Sequence, residues 1–316
     1  PRIEVSGAEC VGGFDTAGNT RIVSANDRMV SIRVPGTERI RFFGGTVVFY
    51  DVNIISDKTD RQPAITNNGA TFYWIGGQLD GNESWTAYSN RASSFTNFID
   101  VQVVCNGADV ALSNRTGAMS LSDVTIIDGA GLGCQYSAIQ VEQNGDLAFE
   151  GNVNIELIKP SSNLVSIFGA SSFKVNNDGN TIRANSANEG ALKIQKNSHM
   201  NVTGSLTIKG GIRIRYNSSA DWGYSSEGNG VVIETDIDGV RLLDVNYSAT
   251  LNVAGQNFEK LDLNVGYNSF VQFSDVTLNN SDMIVKLGSH VIFENVTESN
   301  NIKEALDITS SIEIDF

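Results

Sequence analysis

A short unit recurs along this chain: a small turn residue, then a stretch in which apolar and polar positions alternate. It reads "ASSFKV" at Ser172, "NSHMNV" at Ser198, "YSATLNV" at Ser248, "NSFVQF" at Ser269, "GSHVIF" at Ser289 and "SSIEI" at Ser311, with spacings of 26, 50, 21, 20 and 22 residues. The interval of 50 reads as two units of about 25, one of which has lost its marker. Toward the N-terminus the unit continues as "PGTERIRF" at Gly36, "NGATFYW" at Gly69, "NGADVAL" at Gly107 and "NGDLAF" at Gly145, spaced 33, 38 and 38, then 27 to Ser172.

A strand runs roughly 5–6 residues and a connection roughly 4–6, so a unit of this size holds three strands and three turns. That is one coil of a parallel solenoid. Within "LKIQ", "NSHMNV" and "GSLTIKG" the pairs Leu192/Ile194, Met200/Val202 and Leu206/Ile208 are spaced by two and separated by Asn or Gly turns. Each pair points into one shared interior. No dozen-residue window carries apolar positions at i, i+3, i+4 and i+7, and only "NNIKEALDI" offers a helical turn. The expected fold is all-β: a single-stranded right-handed parallel β-helix of about 20–38 residues per coil. Residues 1–35 are expected to form an N-terminal cap and first coil, and 36–316 the β-helix domain, with loop insertions near 76–98 and 216–230.

Composition narrows the function classes. With 36 acidic against 22 basic residues the net charge is −14, and the sequence has no basic patch beyond "GGIRIRY" with Arg213 and Arg215, so nucleic acid is not an expected partner. No stretch approaches the roughly 18 apolar residues of a membrane span, so membrane insertion is not expected. Cys10, Cys105 and Cys134 are odd in number, distant and without a CxxC pair, which reads as three small buried residues rather than a disulfide framework or a zinc site. His199 and His290 both follow a turn serine, so they occupy equivalent positions of different coils. That is repetition, and neither a metal site nor a Ser–His–Asp arrangement is expected from it. No cofactor is implied.

The coil pattern, the Asn/Gly-Ser turns, the acidic composition and the longer coils before Gly145 resemble the right-handed parallel β-helix domains of bacteriophage tailspikes and tail fibres. The resemblance spans nearly the whole chain. It implies a homotrimeric, protease-resistant virion appendage that works beside other tail proteins and binds, and sometimes cleaves, cell-surface polysaccharide. Pectate-lyase-like enzymes and bacterial surface adhesins share the fold, so fold alone fixes no function.

Function in a solenoid sits where the repeat is interrupted. Two stretches qualify: "WIGGQLDGNESWTAYSNRASSF", with Trp74, Asp80, Glu83, Trp85 and Tyr88, and "YNSSADWGYSSEGNG", with Tyr216, Asp221, Trp222, Tyr224 and Glu227. They hold all three tryptophans among polar, Gly-rich residues. Aromatic faces suit the C–H faces of sugars, so Trp85, Tyr88, Trp222 and Tyr224 are the expected carbohydrate contacts; Trp74 fits equally well as an inward strand residue. Glycoside hydrolysis needs two carboxylates roughly 5–10 Å apart, for which Asp80/Glu83 and Asp221/Glu227 are the candidates. The expected function is a structural and receptor-contacting part of a phage tail, located in the virion. The alternatives are a polysaccharide depolymerase, whether glycosidase or lyase, and an adhesin outside the cell or on the bacterial surface.

Overall fold

The computed structural model describes the chain apart from residues 1, 6–9, 25–29, 59, 61, 83–85, 130–132, 158–162, 185–189, 224–229, 235–241, 259–260, 280, 300–302, 307–310 and 316. The chain forms two compact units, Pro1–Leu164 and Val165–Phe316. Each is a β-solenoid: no helix occurs among the described residues, and the strands pair in parallel, each with its counterpart one coil away. The segment Lys303–Leu306, expected to carry a helical turn, is a strand opposite Asp282–Val285.

In the first unit each coil runs through three faces. Phe95–Ile99, Ala118–Ser122 and Asp146–Phe149 lie on the first; Gln102–Cys105, Val124–Asp128 and Val153–Leu157 on the second; Thr86–Arg91, Val110–Arg115 and Ser137–Glu142 on the third. Two long strands, Thr46–Lys58 and Thr71–Asp80, cross from the first face to the second without a break in pairing. They turn at Asp51 (φ 52°) and Gly76 (φ 71°), and later coils turn at Asp100 and Asp123 in the same left-handed conformation. The second unit repeats this at Gly255, Asp275 and Asn295. Gly, Asn and Asp tolerate that conformation best, so four of the acidic residues here are accounted for by backbone geometry.

The corner from the third face to the first is sharper, with two consecutive left-handed residues: Ala92–Ser93 and Gln143–Asn144 in the first unit, and Lys196–Asn197, Tyr216–Asn217, Tyr247–Ser248, Tyr267–Asn268 and Leu287–Gly288 in the second. This corner is the marker of the repeat, with a phase that differs from the one read in the sequence. In the second unit the stacked position is Ser171, Ser198, Ser218, Ala249, Ser269, Ser289. The marker sought within the interval of 50 is Ser218, 20 residues after Ser198; the next stacked position is Ala249, 31 further on and one residue past the Ser248 used in counting. In the first unit Thr46, Thr71, Phe95, Ala118 and Asp146 lie opposite one another in turn, in steps of 25, 24, 23 and 28. Gly36 and Gly107 belong to other positions of the coil, and counting from them stretched the apparent period to 33 and 38.

Much of the two stretches expected as insertions is regular coil: 76–80, 86–91 and 95–98 are strand, with a corner at Ala92–Ser93, and Tyr216 to Trp222 is a corner and a strand. Residues before 36 are already coil, since Arg2–Val5 pairs with Thr20–Ser24, Cys10–Val11 with Val30–Gly36, and Phe14–Thr16 with Ile40–Phe42.

Inward positions fill each interior. In the first unit Phe42, Phe49, Phe72, Trp74, Tyr88 and Phe98 form one buried aromatic cluster, with ring centroids 4.9–6.2 Å apart. In the second, Phe273 stacks on Phe293 at 5.3 Å among Ile, Leu and Val. Cys105 and Cys134 are disulfide-bonded, with Cα atoms 5.0 Å apart, against the expectation of unpaired thiols. Their separation of 29 residues is about one coil, and stacking brings the two side by side.

Candidate functional site

The alternation that fills the interior also decides which expected site residues can meet a ligand. Tyr88 lies on the third face in register with Ile65 and Leu112, inward and fully buried, and its hydroxyl shares a hydrogen bond with Thr96. Burial pushes this phenol well above its ordinary pKa. Trp222 lies between Val202 and Val253 and is 1% exposed; its indole Nε1 is buried with no hydrogen-bond partner among the described residues. Both rings point the way of their apolar neighbours in register and neither exposes a face, so the expected stacking on a sugar is not available to them; Trp222 still forms part of the wall of the groove beside Asp221. Trp74 is also inward, and donates from Nε1 to the carbonyl of Val52 at 3.2 Å. Glu83, Trp85, Tyr224 and Glu227 lie outside the described residues.

Asp221 points outward. Along the first face of the second unit it is followed in register by Asn252 and Gln272, and Gly223, Ala254 and Ser274 run beside them. These residues line an open groove of about 230 Å³. Asn252 donates from Nδ2 to Asp221 at 2.6 Å, and Ser274 donates to Glu294 at 3.2 Å. Strands stack about 4.8 Å apart, so three successive coils line the groove with a carboxylate at Asp221, an amide at Asn252, and an amide and a hydroxyl at Gln272 and Ser274, beside the apolar Trp222, Val253 and Ala254.

His199, Ser219 and Asp221 also meet on this face, because His199 is in register with Ser219 and residues 219 and 221 share a side of their strand. His199 Nδ1 lies 2.8 Å from Ser219 Oγ and Nε2 lies 3.7 Å from Asp221. The second separation exceeds a hydrogen bond, Asp221 is engaged by Asn252, and both side chains of that ion pair are more than 40% exposed. The pairing recurs as His290 with Ser311, which marks it as a feature of the ladder.

The carboxylate that Asp80 meets is Asp57, one coil earlier on the second face of the first unit. Burial raises the Asp57 pKa, but hydrogen bonds from Arg33 and Asn82 and the charge of Arg33 outweigh it, leaving this acid below its ordinary value. Asp80 moves the other way: burial and then the Asp57 charge raise it, and a hydrogen bond from Asn106 and the Arg33 charge only partly offset this. Two neighbouring carboxyls with pKa values pushed apart are what acid–base chemistry uses. Asp57 went unnoticed in the sequence because it lies on a different coil from the aromatic-rich stretch. The coil length, once phased, is the signal that finds it.

A second feature escaped the sequence reading. Tyr216, Tyr247 and Tyr267, each two residues before a stacked corner position, form an exposed column with ring centroids 4.7 and 4.5 Å apart and planes within 13°. Their faces cover one another, so the column shows its edges and hydroxyls to solvent. Among the described residues no group of three or more His, Cys, Asp or Glu side chains is gathered to hold a metal ion. Comparison of the chain with protein-family models, curated proteins and solved structures returns no match.

Proposed function

We propose that this chain is a structural and receptor-contacting solenoid of a bacteriophage tail fibre or tailspike, which binds polysaccharide of the host surface along its outer face. The observation that carries the reading is the groove of Asp221, Asn252, Gln272 and Ser274: polar groups from three successive coils beside the apolar wall of Trp222 and Val253 suit a linear polymer of hydroxyl-rich units with apolar ring faces. The resemblance in coil pattern and acidic composition supports the virion setting, with other tail proteins and two further copies of the chain as partners. The test is to incubate the protein with polysaccharide from candidate hosts and to follow binding and new reducing ends together. Binding without new ends is expected; no binding to any host polysaccharide overturns the reading.

A second reading, polysaccharide depolymerase, is favoured by the placement of Asp57 and Asp80 on adjacent coils of one face, two residues out of register, with their pKa values displaced in opposite directions. In that reading Asp80 holds the proton given to the leaving oxygen and Asp57 acts ionised. New reducing ends that vanish in both Asp57→Asn and Asp80→Asn establish it.

A further inference from the structure

We propose that Lys193, Lys196, Arg213 and Arg215, on the third face of the second unit and its adjoining corner, form an anion-binding site for the acidic groups of a polysaccharide. The proposal rests on the polysaccharide-binding reading and names the charge of the ligand and the place that takes it. The strand Gly190–Gln195 pairs with Gly211–Arg215, which sets Lys193 directly opposite Arg213 and Gln195 opposite Arg215. Lys196 follows at the corner, in the same left-handed position as Tyr216. Two like charges opposite one another across parallel strands about 4.8 Å apart work against the sheet.

The carboxylate nearest in register does not relieve them. Asp244 lies opposite Arg213 and is buried, but Oδ2 is engaged by both Nε and Nη2 of Arg215, and Oδ1 accepts from the amides of Asn246 and Asn264. Among the described residues these four cations thus face one carboxylate whose oxygens are all in use, and Lys196 has a further contact, over the Phe168 ring at 5.7 Å. Arg213 Nε is buried and donates to nothing among the described residues. Burial lowers the pKa of Lys193, and the charges acting on it, Arg213, Arg215 and Lys196, are all positive and lower it further. The first unit handles the equivalent face differently: Arg115 is opposite Glu142 and paired with it, and Glu142 also opposes the downward pull of burial and Arg115 on Arg91.

A protein of net charge −14 that sets Lys193 opposite Arg213, with no carboxylate bonded to either among the described residues, is built to receive an anion there. Carboxylate and sulfate groups match a guanidinium in charge and planar hydrogen-bonding geometry better than they match an ammonium, and Arg213 is only half-buried on this face. The patch spans only two coils and is set in an acidic chain, which suits the spaced charges of an acidic polysaccharide better than the continuous phosphates of a nucleic acid.

The test titrates the full chain with polygalacturonate, as a carboxylate probe, and dextran sulfate, as a sulfate probe, against neutral dextran, a short DNA duplex and vesicles of anionic phospholipid. Parent protein is expected to bind at least one acidic polysaccharide, with affinity falling as salt rises, and the Lys193→Gln/Arg213→Gln variant is expected to bind it about tenfold or more weakly. Its thermal midpoint should be unchanged or higher, because the substitutions remove repulsion, so lost binding is not lost folding. Failure to bind either acidic polysaccharide, unchanged binding in the variant, or tighter binding of the duplex or vesicles overturns the proposal. Host polysaccharide that binds the parent and this variant equally, but not a variant altered at Asn252 and Gln272, sinks the anion site while the groove reading stands.

Discussion

The two units solve the same corner with different side chains. In the first, asparagines placed before the turn do the work from inside: Asn67 accepts from the N–H of Ala70 and donates to its carbonyl, Asn90 donates to Ser94 and to Asn114, and Asn114 donates to Gly117 and Asp146. All three are fully buried and in register. In the second unit that inward position is Ile194, Ile214, Val245 and Val265, and the serine after the turn, which in the first unit works beside the asparagines at Ser94, acts without them. Ser198 N donates to Ser218 Oγ and Ser269 N to Ser289 Oγ, while Ser269 Oγ returns a bond to Gly266. Both devices satisfy backbone groups that a left-handed turn would leave unpaired. The asparagine device spends interior volume on amides; the serine device leaves the interior apolar. The same backbone therefore asks for different residues according to which side of the turn supplies the hydrogen bond.

Asn90→Ala should break this comparison hardest. It removes the donor to the buried Asn114 amide oxygen and to the Ser94 and Ala118 carbonyls, of which Ser94 keeps the N–H of Ala118, and withdraws the acceptor of the Thr96 hydroxyl, at a cost of about 3 kcal/mol in urea unfolding. A loss under about 1 kcal/mol would mean that the asparagines fill space only. Next in size are the two buried tryptophans. Trp74→Phe removes a made hydrogen bond and should cost about 2 kcal/mol, whereas Trp222→Phe removes a donor without a described partner and should cost clearly less. Equal losses would contradict the burial reading of Trp222.

Ser269→Ala, where one hydroxyl links two coils, should cost about 1 kcal/mol. The smallest effect concerns pH. Asp80 has a folded pKa above its unfolded value, so the folded state binds its proton more tightly and stability falls as pH rises from the ordinary value near 3.8 through the folded one. Asp80→Asn should therefore stabilise at pH 7, by less than about 1 kcal/mol after solvent screening, and do nothing at pH 3. Asp57, displaced downward, has the opposite sign: its contribution is present above its unfolded value and is lost as pH falls through the folded one.

Coil period and the inward set were legible because side-chain alternation has a period of two and repeats with each coil. The phase was not, because Gly serves several positions of the coil and a marker chosen by residue type jumps between them, as at Gly36 and Gly107. Tyr88 was legible in principle: in "WTAYSN" it shares a strand side with Thr86 and Asn90, and "ITNNGA", "YSNRAS" and "LSNRTG" align the three buried asparagines. The Cys105–Cys134 and Asp57–Asp80 pairs join adjacent coils out of strict register, since Cys105 is opposite Asp128 and Asp80 opposite Ile55, so they emerge only once the coils are phased and the corners between strands are placed.

The most direct test of the account compares host-polysaccharide binding by an Asn252→Ala/Gln272→Ala variant and by Trp222→Phe. The outer-face account expects the first to lose binding while keeping its unfolding midpoint, and the second to keep binding. Binding retained by the groove variant and lost by Trp222→Phe would return recognition to the aromatic ring and contradict it.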